Sequence, residues 1–134
     1  MSQTYSSKCL CGASSITAKV EDSAPAITCS CTDCQKTSGT SQTSNYLLKE
    51  ADVQIEGDIG KYTSKAASGN DVTRIFCKGC GSPFAHNSAA FGDSMAVQIG
   101  SLGVNKVVYG LELFTKDRWS GVAPIQGAEQ KETA

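Results

Sequence analysis

Seven cysteines in three tight clusters constrain the fold of this 134-residue chain more than any other feature. They occur as Cys9-Leu10-Cys11-Gly12, Cys29-Ser30-Cys31-Thr32-Asp33-Cys34 and Cys77-Lys78-Gly79-Cys80-Gly81. Two thiolates separated by two residues can bind one tetrahedral zinc ion, because the turn between them curls around the metal. Disulfides explain an odd number of clustered thiols poorly, and so do cysteines that merely fill a core. The pattern therefore predicts a small zinc protein with two metal ions.

Seven ligands divide naturally into four and three, since structural zinc is closed by four protein ligands and reactive zinc keeps one position open. Spacing alone leaves two groupings. One is a single zinc ribbon of Cys31, Cys34, Cys77 and Cys80, with Cys9, Cys11 and Cys29 left over. The other joins Cys9 and Cys11 to Cys77 and Cys80, and leaves Cys29, Cys31 and Cys34 as a separate trio. The trio lies at the start of a predicted helix, where free amides and the helix dipole favour thiolate, so it is the better candidate for a reactive centre.

Charge and hydropathy exclude several classes of function. With 12 basic and 13 acidic residues, the formal net charge is -1, which leaves no electrostatic footprint for nucleic acid or for an anionic membrane. A zinc-ribbon nucleic-acid binder is disfavoured on this ground. No apolar run has the length of a membrane span, and the polar N-terminus lacks the apolar stretch of a secretory signal. We therefore expect a cytoplasmic protein whose thiols stay reduced.

Short alternating segments predict a mainly β fold. Apolar residues alternate with polar ones in five segments, separated by Gly, Asn, Asp and Ser: Ile16–Val20, Val53–Ile55, Val72–Phe76, Met95–Ile99 and Val107–Leu113. This arrangement favours antiparallel sheets. The length suits one domain, which we expect to span residues 1–126, followed by a frayed polar tail over residues 127–134.

One short helix is well marked. Thr32 and Gln35 have the spacing of a capping box, in which Thr32 caps the helix and Gln35 reaches back. Gly39 then supplies a stop after about two turns. A second short turn is expected near Asp117 and Arg118.

The order of these motifs resembles the glutathione-dependent formaldehyde-activating family, which includes centromere protein V. The resemblance rests on five segments that run over nearly the whole chain: Cys9–Gly12, Cys29–Gly39, Arg74–Ser82, Gly100–Leu102 and Trp119. It implies a β-tent of coiled antiparallel sheets, stabilised by zinc. It also implies that Cys9, Cys11, Cys77 and Cys80 bind a structural zinc, and that Cys29, Cys31 and Cys34 bind a catalytic zinc.

The activity that the resemblance implies is that of a zinc-dependent carbon–sulfur lyase. Its substrates would be adducts of a small thiol such as glutathione and a small aldehyde such as formaldehyde. The alternative is a non-catalytic, zinc-stabilised protein-interaction module. The two differ in whether the trio site exchanges a ligand with a small thiol.

Other polar residues have less specific interpretations. Lys36, Lys78 and Arg118 could meet a substrate carboxylate, although solvated surface charge is the simpler interpretation. His86 could complete the trio or transfer protons, or it could be an ordinary strand residue. Trp119 could cover the open zinc position or close a core. Arg74 is expected to be a surface residue or a partner of the metal ligands.

Overall fold

Two β-sheets form the framework of the molecule. The computed structural model describes all residues from 1 to 134. A three-stranded sheet has the order β1-β2-β5, and an eight-stranded sheet has the order β11-β10-β3-β4-β9-β8-β7-β6. The strands are β1 (Ser2–Lys8), β2 (Ser14–Glu21), β3 (Ala26–Cys29), β4 (Thr43–Lys49), β5 (Val53–Gly57), β6 (Ile59–Lys65), β7 (Asp71–Cys77), β8 (Pro83–Ser88), β9 (Ser94–Gln98), β10 (Tyr109–Leu113) and β11 (Glu129–Gln130).

Helical structure is short and lies at the ends of strands. The two α-helices are α1 (Thr32–Ser38) and α2 (Ile99–Leu102), and single 3-10 turns cover Glu50–Asp52, Ala89–Phe91 and Thr115–Asp117. The mainly β fold expected from the sequence is confirmed. No helix has both the length and the apolar character needed to cross a lipid bilayer.

The alternating segments form strands as predicted, with differences at their ends. In β2, Ile16, Ala18 and Val20 are all buried while the residues between them are more exposed, as the alternation requires. Ile99, which was expected to continue a strand, begins α2 instead. This single helical turn ends at Gly103, which has a left-handed conformation. Val107 precedes β10, which begins at Tyr109.

The eight-stranded sheet is mixed rather than wholly antiparallel. β10 pairs in parallel with β3 on one side and with β11 on the other. The C-terminal tail is therefore not frayed as expected. Its backbone is bonded to β10, with the Lys131 amide donating to the Glu112 carbonyl at 2.9 Å and the Phe114 amide donating to the Thr133 carbonyl at 3.1 Å. These bonds hold the tail because β10 offers it an otherwise free sheet edge.

Residues from both sheets share one apolar core. Its 15 buried members include Ile16 and Val20 from the three-stranded sheet, and Phe84 and Val97 from the eight-stranded sheet. Phe84 and Val97 have no exposed surface. The core thus fixes the two sheets against each other, and the cysteine clusters lie at strand ends next to it.

Candidate metal centres

Four cysteine sulfurs meet where the β1–β2 loop approaches the β7–β8 turn. Cys9 and Cys11 come from the first segment, and Cys77 and Cys80 from the second. The four sulfurs lie within 4.8 Å of one another. The Sγ atom of Cys11 is 3.7 Å from that of Cys9 and 3.7 Å from that of Cys77. We call this group the four-sulfur cluster.

These separations suit a tetrahedral zinc ion. A zinc–sulfur bond of about 2.3 Å places two tetrahedral sulfur ligands roughly 3.8 Å apart, close to the 3.7 Å observed between Cys11 and its neighbours. A disulfide would bring the sulfurs to about 2.05 Å, and all seven cysteines are free. The donor set and its spacing therefore fit a bound zinc ion.

Glycines and serines around the four-sulfur cluster support anionic sulfur. Gly12 and Gly81 follow Cys11 and Cys80 and adopt positive φ, which glycine does at no steric cost. The Ser14 amide donates to Cys9 Sγ at 3.3 Å. The Ser82 hydroxyl lies 3.1 Å from Cys80 Sγ and, together with the Ser82 amide, lowers the pKa of Cys80 to about 5. A lowered pKa favours the thiolate that metal binding requires.

The remaining three cysteines form a second group, which we call the three-sulfur cluster. Cys29 ends β3, Cys31 caps α1, and Cys34 lies in its first turn, so all three come from one short segment. Their sulfurs lie within 4.8 Å of one another. No histidine, aspartate or glutamate joins the group. The cluster offers three ligands, which leaves one position of a tetrahedral ion without a protein donor.

Cys31 is the member of this cluster that ionises most readily. Its pKa lies far below the ordinary value, because it accepts hydrogen bonds from the thiols of Cys29 and Cys34 and from the amides of Cys34 and Asp33. The bond from the Cys34 amide to Cys31 Sγ measures 3.3 Å. The helix start thus donates to sulfur, as the sequence predicts.

The two groups decide between the groupings that spacing left open. Cys31 and Cys34 lie with Cys29, while Cys77 and Cys80 lie with Cys9 and Cys11. A single zinc ribbon of Cys31, Cys34, Cys77 and Cys80 does not form. The geometry provides two separate places for metal ions.

The capping box expected at Thr32 and Gln35 does not form. The helix cap is Cys31, whose sulfur replaces the hydroxyl expected of Thr32. Gln35 turns away to tie α1 to the chain around it, because its Nε2 donates to the Ser30 carbonyl at 2.9 Å and to the Asp117 carbonyl at 3.1 Å. The Gly39 stop after about two turns is confirmed.

Trp119 completes this connection to α1. Its indole Nε1 donates to Gln35 Oε1 at 3.0 Å. The residue is 48% exposed, so it does not close a core as one interpretation expected. Gln35 and Trp119 together fix the helix that carries Cys34 against the C-terminal segment.

The charged candidates differ in their surroundings. Lys36 and Lys78 are exposed, as their simpler interpretation predicts. Arg118 is not a solvated charge: its side chain is 16% exposed and pairs with Glu112 at 3.4 Å, because β10 and the tail enclose both groups. His86 does not belong to the three-sulfur cluster. It lies on β8 opposite Arg74 of β7, and both side chains line a cleft of about 180 Å³.

Sequence reasoning missed a buried polar group behind the three-sulfur cluster. Thr43 and Asn45 of β4 are both buried, and Asn45 Nδ2 donates to Thr43 Oγ1 at 2.9 Å. The Thr43 side chain acts on the pKa of Cys34 in the direction that favours the thiolate. Polar residues two apart on the inner face of a strand were the signal that could have found them.

Comparison with known proteins agrees with this geometry. The sequence profile described as "Glutathione-dependent formaldehyde-activating enzyme" matches residues 4–117. A crystal structure of a Rhodobacter sphaeroides protein has a similar fold, with a TM-score of 0.61 and 20% sequence identity over 78% of this chain and 98% of that one. No curated protein matches the sequence. Because the profile covers most of the chain and both cysteine clusters, the chain belongs to the glutathione-dependent formaldehyde-activating enzyme family.

Proposed function

We propose that this protein is a zinc-dependent carbon–sulfur lyase acting on adducts of a small, glutathione-like thiol and a small, formaldehyde-like aldehyde. Family membership supports a glutathione- and formaldehyde-related role in general. The observation that carries the proposal is the contrast between two clusters, one with four sulfurs and one with three. A closed site suits structure, whereas a site with three protein ligands can accept a substrate atom.

In the proposed reaction the sulfur of the thiol adds to the aldehyde carbon. A carbon–sulfur bond forms, the carbonyl oxygen becomes a hydroxyl, and the thiol proton is transferred to that oxygen; the lyase direction reverses each change. A zinc ion, when bound, stabilises sulfur as thiolate and polarises oxygen. The roles that we assign are structural for Cys9, Cys11, Cys77 and Cys80, and catalytic for the zinc ligands Cys29, Cys31 and Cys34.

The rest of the site keeps the three-sulfur cluster in place. Gln35 and Trp119 hold α1, the helix that carries Cys34. The neighbouring cleft contains His86, whose pKa is lowered to about 4 by burial and by the charge of Arg74. It is therefore a neutral imidazole at neutral pH, and the same burial and charge disfavour its protonated form. Seven free thiols also support a reducing, cytoplasmic location.

The test is a thiol titration of the cobalt-substituted protein. We expect glutathione to change the absorption bands of the three-sulfur site and leave those of the four-sulfur site unchanged. Cys31→Ser should remove the response because it removes a ligand of that site only. Exchange spectroscopy with ¹³C-formaldehyde should then show faster adduct exchange with the native protein than with Cys31→Ser.

The alternative function predicts the opposite result. A protein-interaction module with two closed zinc sites would give cobalt spectra that do not respond to thiols, and it would leave adduct exchange at the uncatalysed rate. Either finding with fully metal-loaded protein would contradict the lyase proposal.

A further inference from the structure

The cleft beside the three-sulfur cluster has a position and a lining that suit a substrate. It lies between α1 and strands β6 to β9, and its polar side chains are Thr37, Tyr62, Arg74, His86 and Gln98. Thr37 belongs to the same helix as Cys34 and donates through Oγ1 to the Cys34 carbonyl at 3.3 Å. Burial and the charge of Arg74 lower the pKa of His86, whereas the charge of Cys31 raises it. The cleft and the cluster are therefore neighbours.

Arg74 brings to this cleft a positive charge that has no ion-pair partner. Its guanidinium is partly buried and makes no ion pair. Its one side-chain hydrogen bond reaches Ser64 Oγ at 3.4 Å. None of the residues that line the cleft is acidic. In contrast, the other partly buried arginine, Arg118, has the carboxylate of Glu112 as a partner.

A partly desolvated guanidinium favours an anion, and a carboxylate matches its planar pair of N–H donors. His86 faces the same space as a neutral group, so it does not add a competing charge. Gln98 supplies a second recognition element, because its Oε1 is buried without a hydrogen-bond partner and would accept from an N–H group. The lining therefore selects a ligand that carries both a carboxylate and an amide or amine.

We propose that Arg74 is a specificity-determining residue that binds a carboxylate of the thiol substrate, so that the protein selects acidic, peptide-like thiols over neutral ones. This inference rests on the proposed function for the identity of the substrate. Lys36, Lys78 and Arg118, the cations first considered for this role, do not line the cleft. The carboxylate holds the thiol substrate in the cleft, with its sulfur directed to the neighbouring cluster.

His86 provides a direct test, because it is the chain's single histidine and gives one set of imidazole NMR signals. The probe is S-methylglutathione, which has the carboxylates of glutathione but no free thiol. We expect it to shift the His86 signals saturably in zinc-loaded native protein. The dimethyl ester of the probe should bind about tenfold more weakly or worse, since a hydrogen bond to a charged group contributes about 1.5–3 kcal/mol.

Variants separate Arg74 from general charge effects. Arg74→Gln should weaken probe binding by about tenfold or more, and Arg74→Lys should restore part of it. Lys61→Gln is the matched control: Lys61 is exposed on β6, next to the Tyr62 that faces Arg74 across the strand pair, and does not line the cleft. It should bind the probe normally. Zinc content and unfolding midpoint would verify that each variant is folded.

Equal binding of the acid and the ester by the native protein would overturn the inference, and this comparison needs no variant. Loss of zinc from the three-sulfur cluster in Arg74→Gln would overturn it too, because Arg74 would then balance the charge of the thiolates. The two proposals fail separately. If probe binding depends on Arg74 but the cobalt spectra do not respond to thiols, the carboxylate site is supported and the lyase proposal is contradicted. If the spectra respond equally to acidic and neutral thiols, the lyase proposal is supported and the role of Arg74 is contradicted.

Discussion

Gly79 shows how a single residue limits the geometry of the four-sulfur cluster. It lies in the turn between Cys77 and Cys80, and a Cβ atom there would be 3.1 Å from Cys11 Sγ and 3.7 Å from Cys77 Sγ. The first distance is shorter than an ordinary contact. The sulfur would have to move by a few tenths of an ångström, although a metal ion fixes its ligands to narrow distances.

We therefore expect Gly79→Ala to weaken zinc binding at the four-sulfur cluster by about 1–2 kcal/mol, the size of a mild overpacking effect. Competition with a chromogenic chelator would measure the change. Gly121→Ala is the matched control, because a Cβ at Gly121 meets no atom within 4 Å. Equal zinc retention by Gly79→Ala and the native protein would show that the turn relaxes freely.

Glu112 is the residue through which β10 holds the C-terminal segment. Its side chain is 1% exposed. Its Oε2 accepts hydrogen bonds from the Ile125 amide at 2.7 Å and from Gln130 Nε2 at 2.5 Å, and it also pairs with Arg118. Burial alone would raise the pKa of this carboxyl, but the hydrogen bonds and the Arg118 charge outweigh burial and lower it. The ionised carboxylate of Glu112 is therefore the form that stabilises the C-terminal segment against β10.

The sign of this pKa shift predicts how stability depends on pH. Because the folded-state pKa is depressed, the contribution is present in full above the pKa of the unfolded chain, about 4.3, and is lost as the pH falls through the folded value. We expect Glu112→Gln to reduce the free energy of unfolding at pH 7 by about 1.5–3 kcal/mol. The difference from native protein should shrink as the pH falls below the unfolded-chain value towards the lowered pKa of the folded carboxyl, because the native carboxyl then becomes protonated too.

Urea unfolding of both proteins at matched pH values from about 7 down to about 3 would measure this difference. The zinc content of each protein would be determined at every pH, because thiolate ligands release zinc when they become protonated. Glu129→Gln, an exposed change in the same segment, is the control and should have a small effect at every pH. A Glu112→Gln difference that stays constant with pH would contradict the role assigned to the carboxylate.

At the scale of elements, the sequence predicts whatever depends on local spacing. Alternation located β2 and β5, and the cysteine spacing located the three cysteine motifs, because each signal lies within a few neighbouring residues. Spacing left open which motifs share one group of sulfurs, because Cys11 and Cys77 are 66 positions apart in the chain. Glu112 could not be recognised as buried, since its partners lie 6, 13 and 18 residues away. The cap at Cys31 was missed because a sulfur with local amide donors outcompetes the hydroxyl of Thr32.

The two cysteine clusters differ in the length of chain that each would connect through a metal ion. The four-sulfur cluster joins residues 66 positions apart, such as Cys11 and Cys77. A tie of this length connects the three-stranded sheet to the far end of β7 and restricts much of the unfolded chain. The three-sulfur cluster closes only the segment from Cys29 to Cys34. The loss of one ligand should therefore have unequal effects on folding.

We expect Cys80→Ser to unfold or aggregate the protein, and Cys31→Ser to leave it folded with a lower metal content. A structural zinc contributes on the order of 10 kcal/mol, comparable with the whole stability of a domain at about 5–15 kcal/mol. Circular dichroism, size-exclusion chromatography and elemental zinc analysis of the two variants would test this. A soluble, cooperatively folded Cys80→Ser protein would contradict the structural role of the four-sulfur cluster. Unfolding of Cys31→Ser would show that the three-sulfur cluster also supports the fold, because the short segment that it closes connects α1 to β3 and, through the Ser30 amide, to Leu113 of β10.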